Sequence, residues 1–138
     1  WLIDFRNTGY GHAMRDLTKL DAVIRLELLT QQHASLDERL MLEDALLQAN
    51  AFADLSALSG QLKSSNQHLL RAFETCLLLR ILAWKIVPGL SDTMKMSEYY
   101  VGLLYSSMAI LGYDDITDVR RSHALLASSL LLDKIQPL

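Results

Sequence analysis

From Gly11 to the end of the chain, apolar side chains recur at steps of three and four residues, the rhythm of one face of an α-helix. Met14, Leu17, Leu20, Ile24 and Leu28 mark the apolar face of a first helix, expected to run to about Thr30. Ser35-Leu36-Asp37-Glu38 is a capping box, in which the serine accepts from the third backbone N–H and the glutamate reaches back. It opens a helical stretch carrying Leu36, Leu40, Leu47, Leu55, Leu58 and Leu62, with Asn50 as a candidate break and Gly60 weakening the end. Ser64-Ser65-Asn66-Gln67 is a second capping signature. The helix after it, to Val87, is apolar on most sides and is expected to be central and buried, with Pro88-Gly89 as its stop. Ser91 or Asp92 starts another segment through Tyr99, Leu103, Ile110 and Leu111, and Gly112 is expected to end it as a left-handed cap. Asp115 or Thr117 caps a last helix carrying Val119, Leu126, Leu130 and Ile135 before Pro137. The expected fold is mainly α: a bundle-like arrangement of five or six helices, one domain over 1–138, with a short strand and glycine turn in residues 1–11.

Composition narrows what such a fold can do. The 138 residues are 51% apolar and 21% charged, which is globular. A net charge of −3 gives no basic field for nucleic acid. One cysteine, Cys76, excludes an internal disulfide and points to a reducing compartment, the cytoplasm. Trp1–Phe5 is too short for a signal-peptide core, and Asp4 interrupts it. The longest uncharged run, Tyr99 to Tyr113, falls short of the roughly 20 apolar residues of a membrane helix and contains Ser106 and Ser107. The start at Trp1 rather than Met leads to the expectation of a piece of a longer chain.

Most catalytic motifs are missing. There is no Glu-x-x-His pair, no His-Glu-x-x-His, no cysteine cluster for zinc, no phosphate-binding Gly-x-x-x-x-Gly-Lys-Ser/Thr loop and no Gly-x-Ser-x-Gly elbow. His33, His68 and His123 stand singly within helical pattern and read as surface or hydrogen-bonded core. Ala83–Pro88 faintly resembles the end of a tetratricopeptide unit, but its signature does not recur at a fixed period.

Residues 2–17 are chemically more specific. Leu2-Ile3-Asp4-Phe5 ends an apolar strand in a carboxylate, and Gly9-Tyr10-Gly11 follows as a turn. A strand-end aspartate before a glycine turn suits a hard cation such as magnesium, and Asp16, at the start of the next helix, can accept N–H groups from the turn. This stretch resembles the metal-binding segment of aminoglycoside phosphotransferase-like kinases. There a Leu-Ile-Asp-Trp/Phe is followed by a Gly-x-Gly-Asp turn and an Asp-Leu-Ala on a helix. The resemblance places Asp4 on the magnesium aspartate, Gly9 and Gly11 on the turn glycines, and Asp16-Leu17 on the structural Asp-Leu. His12, Ala13, Thr18 and Arg6 depart from the pattern, as in a divergent branch. It implies the C-terminal lobe of a phosphotransferase, with ATP and magnesium as cofactors of the parent and the remainder of its own kinase-like domain as partner. The nucleotide lysine and catalytic loop would precede Trp1, so no residue of this chain is expected to be catalytic or to bind the nucleotide itself.

The alternative is a non-catalytic helical interaction module, read as a degenerate kinase-like lobe, in a multidomain bacterial signalling or defence protein. The helical remainder fits either. Tyr99 and Tyr100 read as half-buried packing with a wet hydroxyl, against an aromatic substrate wall. Met94 and Met96 read as core gap-fillers, against an adaptable binding lip, and Arg120-Arg121 as a solvated face.

Overall fold

The computed structural model describes residues 13–30, 32–86 and 96–135. Among these residues six α-helices carry the fold: α1 (Ala13–Val23), α2 (Leu36–Leu46), α3 (Leu55–Leu58), α4 (Gln67–Ile86), α5 (Ser97–Ile110) and α6 (Asp118–Ile135). There is no strand among the described residues. The expected strand and glycine turn, with Asp4, Gly9, Gly11 and His12, lie outside them, as do Pro88-Gly89, Ser91, Asp92 and Met94.

The helix boundaries follow local chemistry. Glu38 N–H donates to Ser35 Oγ at 3.2 Å and Ser35 N–H to Glu38 Oε2 at 2.9 Å, so the capping box is present. Asn66 Oδ1 accepts from the N–H groups of His68 and Leu69 at 3.0 and 3.3 Å and starts α4. Arg120 N–H donates to Thr117 Oγ1 at 3.4 Å at the head of α6. Gly60, just past α3, has φ +71°, the left-handed conformation that glycine adopts without strain. Gly112 does not, so the expected left-handed cap there is corrected: Leu111, Gly112 and Tyr113 instead close on Met108, Ala109 and Ile110 carbonyls.

α1 departs most from its sequence pattern. It runs into a π-helical turn at Ile24–Leu28. Its inward face is not the leucine stripe, since Leu20 and Leu28 are 46% and 63% exposed and Met14, Leu17 and Ile24 are half-buried. Thr18, Asp21, Ala22, Arg25 and Leu26 are buried instead. The wider π turn lets the adjacent Arg25 and Leu26 both face inward. α2 behaves likewise: Leu36 is exposed while Arg39, Leu42, Glu43 and Leu46 are buried.

The main apolar core gathers Leu42, Leu46, Phe52, Leu55, Leu69, Phe73, Leu77, Tyr99 and Leu103. α4 supplies much of it, but Leu78, Leu82 and Ile86 are exposed, so that helix is buried on one side only. A smaller cluster joins Ala22 and Leu26 to Ile110, Ile116, Ala124 and Ala127 and holds α6 onto the body.

Candidate functional site

Two places combine unusual chemistry with order: a charged network inside the bundle and an open groove on its surface. The network begins at Asp21. Its Oδ1 accepts from Arg25 Nε at 2.6 Å, and its Oδ2 from Arg80 Nε at 2.9 Å and from the Tyr99 hydroxyl at 3.2 Å. Arg25 Nη1 donates to both Glu43 oxygens, at 2.7 and 2.6 Å. Glu43 Oε1 lies 2.7 Å from His123 Nε2, and His123 Nδ1 lies 3.1 Å from Arg39 Nη1. A guanidinium only donates, so Nδ1 is the acceptor and the imidazole proton sits on Nε2, facing Glu43. Asp21, Arg25, Arg39 and His123 are 0% exposed, and Glu43 and Arg80 are 1% exposed. Charges so far from water need partners: Asp21, Arg25, Glu43 and Arg80 are ion-paired, whereas Arg39 is held by carbonyl oxygens and His123 Nδ1.

The remaining donors close helix ends. Arg39 Nη2 donates to the carbonyls of Leu29 and Thr30 at 2.6 and 2.7 Å, and its Nε to Ala34 at 3.2 Å. Arg80 Nη1 donates to Leu46 O at 2.6 Å, at the last turn of α2, and its guanidinium lies over the Tyr99 and Tyr100 rings. The Tyr100 hydroxyl donates to Ala49 O at 2.6 Å. Neither tyrosine hydroxyl is wet and neither ring lines a substrate wall, which corrects the half-buried reading. Arg25 Nη2 and Ser107 Oγ are buried without a hydrogen-bond partner among the described residues.

The electrostatics keep the carboxylates ionised and the thiol and phenol neutral. Burial pushes the Glu43 carboxyl up, but Arg25 and the His123 hydrogen bond outweigh it and bring it down to about 2. Asp21 is likewise held below its ordinary value, since Arg80 and Arg25 outweigh its burial. Burial, then the Asp21 charge, pushes the Cys76 thiol and the Tyr99 phenol well up. A thiol so placed stays protonated and is a poor nucleophile. The network therefore has its hydrogen-bonding capacity turned inward, which suits holding helices together better than acting on a substrate.

The groove lies between α1 and α5. It has a volume of about 800 Å³, with Met14, Thr18 and Ala22 on one wall and Val101, Tyr105 and Ile110 on the other. The helices touch at its floor: a Cβ on Gly102 would lie 2.9 Å from Thr18 Cγ2, so glycine is what permits the approach. Tyr105, 73% exposed, rises from one rim.

Of the residues singled out from the sequence, Asp16 is exposed on the first turn of α1, while its expected partner turn is outside the described residues. His123 is hydrogen-bonded core, as read; His33 and His68 stack with centroids 4.1 Å apart. Met96 is fully buried as a core residue. Arg120 is not simply solvated, donating to Leu26 O at 3.2 Å and lying 3.6 Å from Glu27. Sequence reasoning missed Asp21, Arg25, Arg39, Glu43 and Arg80 entirely. The available signal was weak: charges of opposite sign at Asp21/Arg25 and Arg39/Glu43, each four apart on a helix, which usually mark a solvated face.

A family model described as ternary complex associated domain 9 matches residues 1–112. The chain belongs to that family. The match overturns the kinase-like resemblance, because no kinase-like family matches the chain, and the phosphotransferase reading goes with it, leaving ATP and magnesium without support. The physical reason is the brevity of the motif. A strand-end aspartate before two turn glycines is a local solution many folds reach, whereas the family pattern extends over the helices as well. No curated protein and no solved structure matches the chain. α6 follows the matched residues, yet it supplies His123 to the network and Leu131 to the core.

Proposed function

We propose that the chain is a non-catalytic helical association module, one part of a protein assembly in a signalling or defence system. The observation that carries this reading is the family match, whose description is of a domain associated with a ternary complex. The organisation of the molecule supports it: its ionisable groups brace helices from within, and large apolar side chains are left on the outside. Leu78, Leu82 and Ile86 stand exposed at four-residue steps on α4, the spacing of a helical docking stripe. A net charge of −3 favours a protein partner over nucleic acid. No described helix is long and apolar enough to cross a membrane, and the lone buried thiol of Cys76 suits the cytoplasm.

The test is to isolate the tagged chain from its own cells and measure the composition and mass of what accompanies it. The reading expects stoichiometric protein partners, lost in the Leu82→Asp variant while the helical circular-dichroism signal is kept. A chain that runs alone, or partners indifferent to Leu82→Asp and to a matching Leu78→Asp, would contradict it.

A further inference from the structure

The apolar stripe on α4 has a counterpart on the last helix of the same chain. α4 turns Leu78, Leu82 and Ile86 outward, with the exposed Arg71 and Lys85 beside them. α6 turns Leu125 and Leu132 outward, 55% and 45% exposed, with the exposed Asp118 and Asp133 at the two ends of that face. We propose that the α4 stripe of one copy seats on the outward face of α6 in a second copy, so that the chain assembles head to tail. The stripe is the docking face of the association reading, so this assignment rests on that reading and names the occupant.

Register, charge and topology favour the pairing. Set parallel with Arg71 level with Asp118, Leu78 comes level with Leu125, and Lys85-Ile86 with Leu132-Asp133. Both faces then run about 22 Å at 1.5 Å per residue, with opposite charges at each end and leucine or isoleucine between. Facing parallel helices meet flank to opposite flank, which sets Ile86 beside Leu132 and Lys85 beside Asp133. Glu74, also exposed on α4, is already engaged: it accepts from Ser59 Oγ at 2.9 Å and from Gly60 N–H at 2.8 Å, so Arg71 and Lys85 set the charge of that face. Arg121, an exposed cation on α6, comes level with Glu74 in the same register. α4 rests on α1, α2 and α3, and α6 on α5, α2 and the π turn, so the two faces belong to different sides of the bundle. A contact between unlike patches leaves one of each unfilled at the ends, and growth continues until a ring closes.

Sedimentation velocity and light scattering of the purified full chain, from micromolar to submillimolar concentration, test it. The mass should rise with concentration past that of two chains. Leu82→Asp and Leu125→Asp should each hold the protein at the mass of one chain. An equal mixture of the two variants should form a dimer that grows no further, because each supplies the face the other lacks. Arg71→Asp should weaken assembly several-fold, and Asp118→Arg in the same chain should restore it. Circular dichroism of each variant checks that the helices persist, with Leu78→Asp and Leu132→Asp standing in for a variant that loses them. Any of three results overturns the proposal: a single-chain mass at every concentration, assembly that survives both leucine variants, or a mixture that forms no dimer, which would mean contact between like faces. A single-chain mass while Leu82→Asp still sheds partners in cells overturns this assignment alone, whereas cell partners indifferent to Leu82→Asp overturn the association reading.

Discussion

Two interfaces of this small bundle are built on opposite principles. Where α4 meets the 52–58 segment and the end of α2, the contact is leucine and phenylalanine: Leu46, Phe52, Leu55, Leu69, Phe73 and Leu77. Where α1 and its π turn meet α2, α4 and α6, Asp21, Arg25, Arg39, Glu43, Arg80 and His123 are buried beside the small apolar cluster of Ala22 and Leu26. The first kind of contact is non-directional, and one apolar side chain replaces another at modest cost. The second has fixed geometry: Asp21 has two guanidiniums and a phenol to satisfy, and a shifted helix would strand a charge. In this molecule the apolar side supplies general cohesion, and the charged side sets where α1 and α6 sit.

The contrast can be broken experimentally. The largest effect is expected from Arg25→Met, which leaves Asp21 with one fewer cation and removes the Nη1 donor shared by both Glu43 oxygens; breaking a buried pair in this way costs about 3–5 kcal/mol. Chemical denaturation measures it, and a loss below about 1 kcal/mol would mean the pair is replaceable packing. Next is acid. Glu43 has its folded value lowered to about 2 from an ordinary 4.5, so its contribution is complete above the ordinary value and is lost as pH falls towards 2. At about 1.4 kcal/mol per pKa unit, that is on the order of 3 kcal/mol across the window. Glu43→Gln should flatten this limb of a stability-versus-pH curve; an unchanged limb would place the acid sensitivity elsewhere.

Smaller effects sharpen the comparison. Tyr99→Phe removes one hydrogen bond to a charged carboxylate while keeping the ring against Phe52, so a loss of about 1.5–3 kcal/mol is expected in thermal or urea unfolding. No loss would show that Asp21 is satisfied by its two arginines. Ser35→Ala, at the start of α2, should cost about 1 kcal/mol through the capping box alone. Because that cap is local, hydrogen exchange should rise at the first turn of α2 and not around Asp21.

How far the sequence announces this fold depends on which interface is asked about. The helical class, the Ser35 box and the Asn66 cap are legible, because capping and apolar periodicity are local signals, whereas the helix expected to be buried all round is buried on one side only. The inward face of α1 is not. Leu20 and Leu28 follow the helical period and still point outward, while Asp21 and Arg25, counted as solvent-facing by any hydropathy reading, point in. Their partners Glu43 and Arg80 lie 18 and 59 residues away, and nothing local marks them as neighbours. The π turn adds a phase shift that a regular 3.6-residue template cannot follow. The short aspartate-and-glycine motif misled in the other direction: it pointed to a phosphotransferase, while the match over residues 1–112 is to ternary complex associated domain 9.

The most direct test of the claim that charge rather than leucine positions α1 is equilibrium urea unfolding of Asp21→Asn beside Leu20→Ala and Leu28→Ala. Asp21→Asn keeps the shape and leaves Arg25 and Arg80 undercompensated, so it should cost about 3–5 kcal/mol, while each leucine variant stays within about 0.5 kcal/mol of the parent. The reverse order, with the leucine variants severe and Asp21→Asn mild, would contradict the account.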